Sequence, residues 1–182
     1  PSPYAFYQCR LGTAGADGSR FLRSFTFLDV AEIDALERAD AERQGRPEAQ
    51  GVLAREVTRL VHGDAGLAAA ERITRCLFEG DLETLSADDF AQLRLDGLPA
   101  SALDRAALPE TLTQTLVEAG MAKSGKQVKD ALGNGAVLVN GRALSRDENA
   151  DPAGCFAAER ALHGRFYLVR LGKKKYHLFE AA

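Results

Sequence analysis

The stretch Lys123–Leu144 reads KSGKQVKDALGNGAVLVNGRAL, and two local signals in it decide the fold of the C-terminal part. Ser124-x-x-Gln127 has the form of a capping box, so it predicts a short helix running to Leu132. Gly133-Asn134-Gly135 turns the chain, Ala136–Val139 predicts a strand, and Asn140-Gly141 is the type I′ hairpin signal that returns it through Arg142–Leu144. Lys123, Lys126 and Lys129 recur every third residue and so share one helix face. A helix N-terminus also presents free N–H groups, and with lysines beside it the pattern suits a phosphate.

Working outward, Leu112–Ala119 predicts a helix ended by Gly120. Downstream, Phe166–Leu171 predicts a strand, Gly172 a turn and Tyr176–Phe179 the returning strand. That leaves Lys173, Lys174 and Lys175 at or near a hairpin tip. Upstream, residues 96–109 (DGLPASALDRAALP) hold Gly97, Pro99 and Pro109 among small side chains and are expected to be a linker. Residues 1–95 read as helices. Asp29-x-x-Glu32 is a second capping box, before Ile33 and Leu36, and Gly45–Pro47 is expected to end that helix. Val52, Leu53, Val57, Leu60 and Val61 recur at helical spacing up to Gly63. Asp64 can cap the next helix, whose apolar stripe is Leu67, Ala70, Ile73, Leu77 and Phe78, closed by Gly80. Ser86, with Asp88 and Asp89, opens a short helix through Leu95. The expected class is α+β. A small helical bundle (1–95) and a linker (96–109) precede a domain (110–182) of short helices packed on a small, mainly antiparallel sheet.

Charge divides the chain near the same place. Positions 1–120 hold 12 Arg, no Lys and 20 Asp+Glu, a balance of −8, whereas positions 121–182 hold 11 Lys+Arg and 6 Asp+Glu, a balance of +5. The sum is the formal net charge of −3. A solvated surface explains either lysine cluster taken alone. Two clusters within residues 110–182, with no lysine elsewhere, favour a polyanion, because phosphate backbones are held by several cations at once. The expected partner is RNA.

Other signals bound the function. No run of about 18 apolar residues spans a membrane, and no signal peptide is legible. Cys9, Cys76 and Cys155 are far apart and form no CxxC, which favours reduced thiols and a cytoplasmic setting. His62, His163 and His177 lack HxxxH or HExxH spacing, so neither a metal nor a catalytic role is expected of them. Arg20, Phe21, Arg23, Phe25 and Phe27 admit two readings: basic and aromatic groups meeting a nucleic acid, or an amphipathic helix with a core face and solvated arginines, the second being the heavier. Arg55, Glu56 and Arg59 read as an exposed charge network. Pro1–Ser2–Pro3 runs directly into an apolar, aromatic stretch, and the expectation is a cut through a longer protein.

The order helix, KSGKQVKDAL helix, GNGAVLVNG hairpin and basic terminal strand pair resembles the S4-type RNA-binding domain, through Ser124, Gln127, Lys129, Leu132, Gly135, Val137, Val139, Asn140 and Gly141. The rest of the chain is similar, in order, to the region following the catalytic domain of bacterial tyrosyl-tRNA synthetases. The stretches that carry this are SPYAFYQ (2–8), RFLRSFTFL (20–28), EIDALE (32–37), LAREVTRLVHG (53–63), GLAAAERIT (66–74), GDLETLSADDFAQL (80–93), DGLP (96–99) and GRFYLVRLGKKKYHL (164–178). That family joins tyrosine to its tRNA through a tyrosyl-adenylate, using ATP and Mg²⁺, in a Rossmann-like domain with HIGH-like and KMSKS-like signatures. Neither signature is in this sequence, so no catalytic residue carries over.

The resemblance implies a helical anticodon-side domain and an S4-like domain that clasp tRNA-Tyr at its anticodon end. ATP and Mg²⁺ would belong to the parent enzyme, which would dimerise mostly through the absent domain. The residues it implies for RNA contact are Lys123, Ser124, Lys126, Gln127, Lys129, Asn140, Arg142, Arg165, Lys173, Lys174 and Lys175, with Asp17 and Arg20 as anticodon candidates. Cys9, Gly15, Gly125 and Asp130 depart from the family pattern, the last two where basic residues are common. Two other readings stay open: an S4-bearing protein of RNA modification or the ribosome, and a non-specific interaction module.

Overall fold

A computed structural model of the protein describes residues 1–12, 15–42 and 48–182, with only the backbone at 15, 16 and 19. It divides into two compact units, Pro1–Arg75 and Cys76–Ala182.

The first unit is helical. Its elements are α1 (Pro3–Leu11), α2 (Gly15–Phe25), α3 (Val30–Glu42) and most of α4 (Glu48–Glu79). Ser2 caps α1 through a bond from the Ala5 amide to Oγ (3.2 Å). The Asp29 capping box forms as expected: Oδ1 accepts from the Ala31 amide (2.6 Å) while the Asp29 amide donates to Glu32 (3.0 Å). The expected stop at Gly45–Pro47 lies outside the described residues. The start of α4 is capped from a distance, its Glu48 and Ala49 amides donating to the Asp40 carboxylate at 2.6 and 3.0 Å. Gly63 breaks α4 where the sequence puts a stop, with φ of 73°. One apolar cluster joins Leu22 and Ile33 to Ala49 and Leu53, and another joins Tyr7 to Ala54, Leu67 and Ala70. Gln8 donates to Thr74 Oγ1 at 2.8 Å, tying α1 to α4.

The second unit is built on a five-stranded sheet. Its strands are β1 (Ala100–Leu103), β2 (Val137–Val139), β3 (Arg142–Ala143), β4 (Phe166–Leu171) and β5 (Lys175–Ala181), in the order β1-β5-β4-β2-β3. Only the β1–β5 pair is parallel. One face carries Val137, Val139, Tyr167, Val169 and Phe179. It packs under α6 (Leu112–Glu118), α7 (Gly125–Gly133) and α8 (Pro152–Cys155) in one core with Leu112, Leu116, Val128, Leu132 and Phe156. The opposite face is also covered. Phe90, from α5 (Ala87–Gln92), stacks on Phe166 with ring centroids 5.2 Å apart, and His163 bonds the Leu85 carbonyl at 2.7 Å. Burial on both faces explains why β4 is almost wholly apolar rather than alternating.

The α+β class and the order of helices before sheet are as expected. Two boundaries differ. The linker expected at 96–109 contains β1, whose residues pair in register from Ala100 with Leu178 to Leu103 with Ala181. Alanine and serine carry little strand propensity. It is the open edge of β5 that recruits them. The helical domain expected to end at 95 gives up residues 76–95 to the sheet unit, because Leu82, Leu85, Phe90 and Leu93 bury themselves there at 7% exposure or less.

Candidate nucleic-acid interface

The N-terminus of α7 is built by its own sequence. Ser124 Oγ accepts from the Gln127 amide (3.3 Å), and Gln127 Oε1 accepts from the Lys123 amide (3.0 Å). Gln127 thus reaches one residue beyond the Ser124 amide that a capping box would take. It sets the path of the chain before the helix. Lys123 precedes the cap, so the helical face is carried by Lys126 and Lys129, both exposed opposite buried Val128 and Leu132. Gly125 sits close against α6: a Cβ there would lie 2.9 Å from Thr113 Cγ2.

The second lysine cluster is brought to the same end of the sheet. Lys173 and Lys174 are exposed in the β4–β5 turn, made by Gly172 at φ of 70°. The Gly172 amide donates to Ala136 O (2.8 Å), directly after α7. Lys175 Nζ donates to Met121 O at 2.9 Å, two residues before Lys123. Lys175 is therefore a brace that fixes the turn beside the α7 entry. Among the described residues, Lys123, Lys126, Lys129, Lys173 and Lys174 take part in no ion pair.

The remaining residues expected at the interface lie elsewhere and are engaged. Asn140, at φ of 48°, donates from Nδ2 to Arg160 O (2.9 Å) and Phe166 O (3.2 Å), and its Oδ1 accepts from the Leu168 amide (2.7 Å). Arg142 pairs with Glu148 at 2.7 Å. Arg165 lies over the Phe166 ring (4.8 Å) and 3.8 Å from Glu180. Arg165 adjoins the Phe166 end of β4, whereas Asn140 and Arg142 lie level with Leu168 and Val169, about 7–10 Å from the Leu171 end that carries the lysines, at about 3.3 Å per residue. In the helical unit, Asp17 and Arg20 are exposed on α2. Arg23 is bridged to Asp34 (2.7 Å) and Glu37 (3.1 Å), while Leu22 is buried. The amphipathic reading fits these, but Phe25 and Phe27 are 56% and 93% exposed.

Three further arginines were not signalled by spacing. Arg146 faces a cleft of about 390 Å³ with Lys129, and Arg160 a cleft of about 310 Å³ with Asn140 and Arg142. Arg170 has its Nε buried without a hydrogen-bond partner among the described residues. Perturbed titrations are structural here. The Ser145 amide, and then Arg142, hold the Glu148 carboxyl below its usual range. Burial pushes the Cys155 thiol up to about 11. Burial, then Arg94, lowers His177, whose Nε2 lies 2.7 Å from Ser101 Oγ. Among the described residues no group of three His, Cys, Asp or Glu could hold a metal, and no helix is long and apolar enough to cross a membrane.

Comparison with known proteins bears on this arrangement. The family model described as the tyrosine–tRNA ligase SYY-like C-terminal domain matches residues 89–179. The tyrosine–tRNA ligase of Aliivibrio fischeri (strain MJ11) is 52% identical over 178 residues, covering 98% of this chain and 40% of that protein. The tyrosine–tRNA ligase of Chromobacterium violaceum is 50% identical over 179 residues, with 98% and 41% covered. A solved C-terminally truncated mitochondrial tyrosyl-tRNA synthetase from Aspergillus nidulans matches 42% of this chain and 23% of its own, at 32% identity and a TM-score of 0.40. The chain spans about two-fifths of the length of the curated relatives it matches. The resemblance carried by LAREVTRLVHG and the other quoted stretches is thus borne out, and the chain belongs to the tyrosine–tRNA ligase SYY-like C-terminal domain family.

Proposed function

We propose that this chain is the tRNA-binding C-terminal region of a tyrosine–tRNA ligase, whose task is to position the anticodon end of tRNA-Tyr for ATP-dependent tyrosylation by a catalytic domain elsewhere in the parent protein. The observation that carries the reading is the Lys175–Met121 bond, which turns two lysine clusters remote in sequence into one cationic surface of Lys123, Lys126, Lys129, Lys173 and Lys174. Several cations on one surface release several counterions from an RNA backbone, and that release is the main source of affinity. The helix–hairpin arrangement of α7, β2 and β3 supports an S4-type domain. ATP and Mg²⁺ serve the catalytic domain, the parent dimerises mostly through that domain, and the setting is the cytoplasm. Base reading falls to single-stranded anticodon bases, whose edges are accessible, with Asp17 and Arg20 as candidates.

Binding of tRNA-Tyr and of other tRNAs to this chain, measured as a function of salt, tests the reading. Replacing Lys173 and Lys174 together by alanine is expected to flatten the slope of log affinity against log salt by about 0.7–0.9 for each phosphate no longer neutralised. An unchanged slope would remove the turn from the interface. Equal affinity for all tRNAs would favour the non-specific module.

A further inference from the structure

We infer that the cleft beside α7 is a seat for a single RNA backbone phosphate, gripped between Lys129 and Arg146. The inference rests on the RNA-binding function proposed above and adds a residue, and a mechanism for placing it, that spacing does not reveal. The cleft, of about 390 Å³, is lined by Lys129, Asp130, Leu132, Arg146 and Asn149. Its two cations come from different elements, Lys129 from α7 and Arg146 from the 3₁₀ turn Arg146–Ala150. Neither is in an ion pair among the described residues. With Asp130 the local balance is +1, which matches one phosphodiester.

The turn that carries Arg146 is held at both ends. Ser145 and Glu148 form a reciprocal capping box, with the Ser145 amide donating to Glu148 at 2.7 Å. Asn149 Oδ1 accepts from the Thr113 amide (2.9 Å) and hydroxyl (2.6 Å), which docks the turn on α6. No internal bond among the described residues uses Asn149 Nδ2, so a third donor lines the seat. Gly133 makes room for the guanidinium. A Cβ at Gly133 would lie 2.7 Å from Arg146 Nε and 2.9 Å from its Cζ. Because Gly133 has no positive φ, its backbone does not require glycine. What a Cβ there would meet is the Arg146 head group, which would have to move aside. The exposed Arg146 guanidinium lies against the C-terminal end of α7 and lines the cleft with Lys129, where its planar fork can meet phosphate oxygens.

The test uses this chain with a tRNA-Tyr transcript across a salt series, and three variants. Arg146→Ala is expected to weaken binding roughly ten-fold at low salt and to lower the slope by about 0.7–0.9, with unfolding temperature little changed. Gly133→Ala keeps every charge and displaces only the arginine head. It is expected to weaken binding while stability stays the same or rises, alanine being the better helix former. Lys126→Ala, outside the cleft, reports on the parent reading alone. If it lowers the slope and Arg146→Ala does not, the seat is refuted and the RNA-binding function stands. If Arg146→Ala lowers the slope but Gly133→Ala binds as wild type, Arg146 acts as diffuse charge and the seat is again refuted. If neither Lys126→Ala nor Arg146→Ala changes the slope, the RNA-binding reading fails together with the inference.

Discussion

Replacing Asn140 by alanine separates a structural role from an RNA contact, because the residue was expected in the interface and its side chain is turned inward. Asn140 follows the last paired residue of β2, where Val139 faces Val169. Its amide donates to Leu168 O (2.9 Å), and its own Oδ1 accepts from the Leu168 amide (2.7 Å). The side chain therefore supplies the acceptor that a backbone carbonyl would supply in a continued antiparallel pair. Alanine removes this bond and the two from Nδ2 to Arg160 O and Phe166 O. At about 1 kcal/mol each, discounted for partial exposure, the bonds are worth roughly 2 kcal/mol. The left-handed backbone at φ of 48° adds about 1 kcal/mol for alanine over asparagine. A total of roughly 3 kcal/mol lowers the unfolding temperature of a unit this size by about 12 °C. Asn140→Gly keeps the backbone freedom and should recover about 1 kcal/mol of that loss. Thermal unfolding by circular dichroism, with amide exchange at Leu168, reads both effects. Stability within about 1 kcal/mol of wild type would refute the reasoning, and a flattened salt slope for tRNA with stability intact would return Asn140 to the interface.

Stability should also fall in mild acid. His177 titrates below its ordinary 6.5 when folded, so its contribution is complete above pH 6.5 and is lost as pH falls from there, the unfolded chain taking up the proton first. His177→Gln should flatten that part of the profile in a pH series of unfolding midpoints, and an unchanged profile would contradict the assignment. Glu148 acts in the same direction at lower pH, from its ordinary 4.5 downward. Phe90→Ala should cost roughly 3–5 kcal/mol in the sheet unit, because the ring is fully buried against Phe166. Unchanged amide protection in β4 and β5 would mean that residues 76–95 do not support the sheet. In a thiol-labelling time course at pH 8, Cys9 should react first, since it is exposed while Cys76 and Cys155 are buried. A Cys155 thiol at about 11 leaves only about a thousandth as thiolate there, and fast labelling of a second cysteine would contradict this.

Much of the candidate site was legible locally. The Ser124 cap, the Gly133–Gly135 turn and the Asn140-Gly141 hairpin depend on side chains within a few residues of the backbone they satisfy, so their spacing is enough. Gln127 was misread by one residue, because both candidate amides lie within its reach and only the path of the chain before α7 selects Lys123. The internal partners of Asn140 and Arg165 escape the sequence for a different reason. Polar and basic side chains look alike in sequence whether they face solvent or, like Asn140, a carbonyl 20 residues away or, like Arg165, a carboxylate 15 residues away. Arg146 carried no signal, since its position depends on Gly133 and on the docking of its turn to Thr113.

By itself the sequence determined the helix periods, the caps, the hairpin and the confinement of lysine to the C-terminal part, all properties of near neighbours or of composition. The tertiary structure decided which surfaces those elements cover. It drew Ala100–Leu103 onto the edge of β5 and moved residues 76–95 from the bundle to the sheet. It also joined Lys175 to Met121, so that two lysine clusters became one surface. Edge pairing, burial and charge convergence depend on residues far apart in the chain, and no local pattern records them.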